Sequence, residues 1–151
     1  MRMLLPLLLL VSASSANATP AQDRREILRV VQQLFDGLAA RSPERILALV
    51  VPEGTITAHV GSGPSASMRA QRWQDWANGL RSGAERLYEE MHSPQVRVRG
   101  NMASVWTEYT FRRDGRFSHC GVDLFDMAKV GGRWRILNLT FTRETTGCRR
   151  R

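Results

Sequence analysis

From Gln95 onward the apolar residues of this chain recur at every second position, and that period constrains the fold more than any other feature. "QVRVRG" alternates valine with arginine, and "MASVWTEYTFRR", "RFSHCGVDLFDMAKV" and "RWRILNLTFTRE" are three longer runs of the same kind. Successive side chains of a strand point to opposite faces, so a period of two marks strands with one covered face. Asp114-Gly115 and Gly131-Gly132 separate the long runs, and such pairs suit two-residue hairpin turns. These segments therefore form an antiparallel meander.

Upstream the period is helical. In "DRREILRVVQQLFDGLAAR" the residues Ile27, Val30, Val31, Leu34, Phe35 and Leu38 form one unbroken apolar stripe. Asp23 and Glu26 have the spacing of a capping box at its start. Ser42 and Pro43 suit the N-cap and first position of a short second helix, which Pro52 ends. "GTITAHV" is β-branched and reads as a strand. "GSGPSAS" reads as a loop whose Ser67 caps a third helix carrying Trp73, Trp76, Ala77 and Leu80. Glu85 to His92 fits helix or strand, with strand favoured after Arg86. Helices followed by a meander define an α+β domain.

The first 18 residues, "MRMLLPLLLLVSASSANA", have the layout of a secretory signal: a basic start, an apolar run and a small-residue cleavage site. The apolar run is about half of the ~20 residues that span a bilayer, so no membrane anchor is expected. Residues 19–148 are then one exported domain, periplasmic or secreted, followed by the basic tail Arg149 to Arg151. Two cysteines in an exported chain read first as a disulfide. A Cys120–Cys148 bridge closes a loop of about 28 residues, worth roughly 3–4 kcal/mol in the chain-entropy description. A buried free thiol and a reactive thiol or metal ligand are the alternatives. The net charge of +8 comes from scattered residues, all arginine except Lys129, so no nucleic-acid partner is expected. His59, His92 and His119 show no ligand spacing, and neither a metal nor any other cofactor is expected.

The segments "ARSPERILALVVPEGTITAHV" and "VWTEYTFRRDGRFSHCGVDLFDMAKVGGRWRILNLTFTRETTGC", with the amphipathic helix before them, carry a resemblance that extends from Gln22 to Cys148. The chain resembles the nuclear transport factor 2-like superfamily, in particular its SnoaL-like and lumazine-binding-like exported bacterial members. That resemblance implies a cone: a curved antiparallel or mixed sheet, the cystatin-like α+β roll, wrapped over N-terminal helices around a hydrophobic pocket. It also implies a homodimer and a small apolar or aromatic ligand. It leaves the reaction open, because such folds host isomerases, dehydratases and cyclases alongside binding and interaction modules.

Simple two-residue hairpins place Arg113 opposite Arg116 and Val130 opposite Arg133. One face then carries Val105, Tyr109, Phe111, Cys120, Val122, Leu124, Asp126, Leu137, Leu139, Phe141 and Arg143, and is the expected concave face. The other carries Trp106, Glu108, His119, Asp123, Phe125, Ile136, Asn138 and Thr140. A one-residue slip would exchange these sets for part of the sheet. The expected pocket lining is Phe35, Trp73, Trp76, Tyr109, Phe111, Leu124, Leu139 and Arg143. Asp126, as the inward carboxylate, is the first candidate acid, near where isomerase-like relatives place one; pairing with Arg143 or Lys129 is its structural alternative. His119 with Asp123 is the second candidate, an outer-face pair that becomes the best acid–base constellation if the register slips. Glu53 stands where the isomerase base is expected, on a turn that suits a solvated side chain.

Overall fold

The computed structural model describes residues 19–61 and 63–148. The export signal over 1–18 and the tail over 149–151 lie outside the described residues. Three helices, α1 (Pro20–Ala39), α2 (Pro43–Leu47) and α3 (Trp73–Gly79), pack on a six-stranded sheet. Its strands are β1 (Thr55–Val60), β2 (Ser67–Arg72), β3 (Leu87–Arg99), β4 (Met102–Arg113), β5 (Arg116–Val130) and β6 (Arg133–Arg143). They lie in the order β2-β1-β6-β5-β4-β3; all neighbours are antiparallel except β1 and β6. The α+β class and the meander from β3 to β6 agree with the sequence reading. The parallel β1–β6 pair makes the sheet mixed.

The stripe of α1 is buried as its spacing requires, with Ile27 and Val31 fully covered and Leu34 and Phe35 nearly so. Each such side chain contributes about 1.5–3 kcal/mol by leaving water. The cap of α1 lies upstream of the expected pair. Thr19 accepts from Gln22 N at 3.3 Å, and Gln22 Oε1 accepts from Thr19 N at 2.7 Å. Asp23 instead turns into the protein, where Lys129 Nζ and Trp134 Nε1 each donate to it at 2.7 Å. Those bonds lower its pKa below the ordinary carboxylate value and fasten the helix start to β5 and β6. Ser42 caps α2 as expected, but the helix ends at Leu47, well before Pro52, because the chain turns at Ala48 to bring Val50 against Ile136. Ser67 does not cap a helix: it opens β2, which pairs with β1, and α3 begins only at Trp73.

Both hairpins have the expected turns, with Arg113 opposite Arg116 and Val130 opposite Arg133. Asp114 and Gly115 are both left-handed, at φ 49° and 76°, as a twist-matched two-residue turn requires. The faces nonetheless differ from the simple register, because β5 and β6 carry one bulge each. Phe111 pairs with His119 while Arg112 pairs with Phe117, so Ser118 is an extra residue. Further on, Asp126 pairs with Asn138 but Met127 with Ile136, which makes Leu137 the second extra residue. Each bulge shifts alternation by one. Beyond Ser118 the inward residues of β5 are His119, Asp123, Phe125 and Met127, whereas Cys120, Val122, Leu124 and Asp126 face outward. Ile136 is likewise inward. Phe125 is fully buried against Phe35, ring centroids 6.2 Å apart, and is no part of an exposed face.

Candidate ligand-binding cavity

Between α1, α3 and the concave face lies a cavity of about 350 Å³. Its apolar walls come from α1 (Leu34, Phe35, Leu38), the end of α3 and its following turn (Trp76, Leu80), β4 (Tyr109, Phe111) and β6 (Leu139, Phe141). The exposed lining residues Ser82, Gly83, Glu85, Arg113 and Arg143 mark its mouth. Arg41 secures one side of that mouth, donating from Nε to Glu85 O at 2.8 Å and from Nη1 to Leu80 O at 2.9 Å. Gly83 is where the guanidinium lies closest: a Cβ there would overlap it. Arg113 Nη1 meets Glu85 Oε2 at 3.1 Å.

Inside the mouth, Glu89 from β3 and His119 and Asp123 from β5 join Tyr109 as the titratable side chains that face this mainly apolar space. The Ser118 bulge is what aims the β5 pair inward. Phe111 of β4 pairs with Glu89 on one side and His119 on the other, so these three residues lie abreast across three strands. Glu89 and Asp123 are close enough to share a hydrogen bond when one of them holds a proton. Burial pushes the Glu89 carboxyl up to about 7, partly offset by the bond from Asp123. Asp123 is pushed well above the carboxylate range, by burial first and then by the charge of Glu89 and the bond to it. At neutral pH the pair therefore retains at least one proton between its two carboxyls. The buried Oδ2 of Asp123 receives no hydrogen bond from the described residues. An unserved oxygen of this kind is costly unless a polar group of a bound molecule meets it.

His119 stacks on Phe111, centroids 4.6 Å apart, and meets Tyr109 edge-on at 5.8 Å. Its Nδ1 is tied to Ser118 Oγ at 3.0 Å. Burial, then the charges of Arg143 and Arg113, lower its pKa to about 4, so it faces the cavity as neutral imidazole. Tyr109 lines the cavity with its ring, but its hydroxyl is engaged, donating to Thr142 O at 2.7 Å. Burial and the neighbouring acids keep it a phenol by raising its pKa.

The expected site residues thus divide. Phe35, Trp76, Tyr109, Phe111, Leu139 and Arg143 line the cavity, as do His119 and Asp123. Trp73 does not: it is wholly buried in the core, donating Nε1 to Leu137 O at 2.9 Å. Leu124 lies on the outer face beside Trp106 and Arg97. Asp126 is exposed on that same face, where Asn138 Nδ2 donates to it at 3.3 Å, and pairs with neither Arg143 nor Lys129. Glu53 is exposed. Cys120 lies outward, not inward, and is bonded to Cys148. Glu89 was absent from the expected set, although Leu87 and Met91 two positions either side mark its face as the inward one.

An α+β roll of curved mixed sheet over helices, enclosing a cavity at its concave face, is the architecture of the nuclear transport factor 2-like superfamily. The chain belongs within it to the family described as "putative lumazine-binding", whose model matches residues 22–142. No curated protein matches its sequence. Among solved structures, a cystatin-like-fold protein of unknown function from Nostoc punctiforme is similar with a TM-score of 0.68 at 11% identity, covering 87% of this chain and 97% of that one. The beta subunit of a "putative aromatic-ring-hydroxylating dioxygenase" from Novosphingobium aromaticivorans has a TM-score of 0.69 at 15% identity, over 84% and 92% of the two chains. A "putative scytalone dehydratase" from the same organism has a TM-score of 0.65 at 15% identity, over 85% and 89%. At these identities the likeness is one of fold.

Proposed function

We propose that the cavity binds a small, flat, largely apolar molecule whose polar edge meets Glu89 and Asp123. The observation that carries this reading is the pair of protonatable carboxyls, one with an unserved buried oxygen, inside a mainly apolar cavity. A neutral carboxyl offers one donor and one acceptor side by side. The N–H and C=O of a cyclic amide or imide are its complement. A fused heteroaromatic ring with such an edge fits both the lining and the description of the family. Lumazine has that edge, and its intrinsic fluorescence provides the test. Saturable one-to-one quenching, weakened at least tenfold by Asp123→Ala, supports the reading. Absence of saturable binding by lumazine and by neutral aromatic probes overturns it.

A second reading is favoured by one observation, the placing of Glu89 near neutrality beside Asp123 and a neutral His119. A carboxyl that titrates near the working pH beside a second, raised carboxyl suits cofactor-independent proton transfer, as in an isomerase, dehydratase or cyclase. In that case Glu89→Gln abolishes turnover of a bound substrate while binding of a neutral ligand survives.

Export and dimerisation belong to the same proposal. The layout of residues 1–18 supports periplasmic or secreted location, tested by the N-terminal sequence of protein recovered from the periplasm. The outer sheet face supports a homodimer, since Trp106 there is 50% exposed and Met102 72%; native mass spectrometry reads the subunit count.

A further inference from the structure

The mouth of the cavity is as charged as its walls are apolar. Three guanidinium groups, Arg41, Arg113 and Arg143, and one carboxylate, Glu85, line the open end. Arg41 is committed to two backbone carbonyls, and Arg113 to Glu85. The guanidinium of Arg143 has no hydrogen bond or ion pair among the described residues, although it lines the cavity at the end of β6. Its neighbour Glu144 does not answer it, because Glu144 Oε1 accepts instead from Thr142 Oγ1 at 3.1 Å. Further inside, Glu89 and Asp123 oppose any second negative charge. An anion is thus repelled from the acid pair and attracted at the entrance, whereas a cation meets the reverse order of fields.

We infer that the natural ligand is an amphiphile with an anionic head, a carboxylate, sulfonate or phosphate, held by Arg143 at the mouth while its ring body fills the cavity. The inference rests on the reading that the cavity binds a small molecule, and adds to it the charge and the orientation. Arg143 is suited to the task because a guanidinium presents parallel donors that match two oxygens of such a head. The neutrality of His119 accords with this: after burial, the charge of Arg143 is the largest cause that lowers its pKa, ahead of the Glu85-paired Arg113.

Two fluorescent probes separate the possibilities. N-phenyl-1-naphthylamine is neutral, and 8-anilino-1-naphthalenesulfonate carries the same rings with one sulfonate. Titrated into the intact protein at low salt, the sulfonate should bind about tenfold more tightly than the neutral probe. Arg143→Gln should narrow that ratio to within about twofold. Arg99→Gln, on the same sheet but outside the cavity, should leave the ratio unchanged, which excludes a general effect of the basic surface. Equal binding of the two probes, or a preference that survives Arg143→Gln, overturns the inference and leaves the cavity reading standing. No saturable binding of either probe overturns that reading and this inference together.

Discussion

Glu89 and Asp123 stand on strands that are not neighbours, yet their carboxyl groups meet in one cavity across β4 and shift one another's ionisation. Two full negative charges about 4 Å apart repel by roughly 4 kcal/mol even at an effective dielectric constant of 20. The folded protein avoids that repulsion by retaining a proton that the unfolded chain releases.

Stability should therefore fall as pH rises across the window in which the two states differ. A free glutamate ionises near 4.5, and Glu89 in the fold near 7. Between those values the folded state holds the extra proton, and above about 7 the penalty is complete and constant. Glu89→Gln removes the penalty and relieves Asp123 as well. Its advantage over the wild type in urea denaturation should grow by about 2–3 kcal/mol between pH 4.5 and 8. A difference independent of pH would refute the shared-proton description.

His119 runs in the opposite sense. Its folded pKa, about 4, is below the ordinary 6.5, so the unfolded chain takes up a proton that the fold refuses. Its neutral form is accommodated without penalty above 6.5, and stability is lost as pH falls from there through about 4. The ring resonances of His119 should titrate near 4 in NMR spectra. His119→Phe should steepen the loss of stability with rising pH that Glu89 and Asp123 cause, because the compensating slope is gone.

The inward face of β5 can be tested by two adjacent residues. Phe125→Ala should cost about 3–5 kcal/mol, since the ring is fully buried against Phe35. Leu124→Ala, one position earlier on the outer face, should cost about 1 kcal/mol or less in the monomer. Equal losses would mean that the bulge at Ser118 is not where we place it.

Why that bulge escaped a reading of the letters is instructive. Helix α1, the N-cap of α2, both hairpin turns and the strands of the meander were all legible, because each rests on local period or local turn chemistry. The faces of β5 were not, because both of its alternations are partly apolar: Val122 and Leu124 on one side, Phe125 and Met127 on the other. Period alone cannot choose between two such sets. Ser118 is small and polar and suits either face, so it carries no sign of being an extra residue. Phe35, Trp76, Tyr109 and Phe111 survived because they lie on elements without a bulge, and Leu139 and Arg143 because the bulge at Leu137 returns the end of β6 to the expected alternation. Glu89 was missed because "LYEEMH" fits a helix as well as a strand until pairing with β4 decides it.

The disulfide should prove a staple of the outer surface. Cys120 and Glu144 exchange backbone hydrogen bonds at 2.9 Å, and the bond to Cys148 fastens the chain beyond β6 onto β5. Replacing both cysteines with serine should lower stability by about 3 kcal/mol, given a separation of 28 residues. Denaturation with and without a reductant should show the same difference in the wild type and none in the variant.

Ser118 has one more implication, for how such cones diversify. Interior chemistry is ordinarily altered one substitution at a time, each tested against the packing around it. Here a single codon gained or lost beside a hairpin exchanges the interior alphabet of a whole strand segment, from cysteine, valine and leucine to histidine, aspartate and phenylalanine. Lineages built on this roll can thus pass between a greasy receptacle and a proton-handling one by changing length rather than composition.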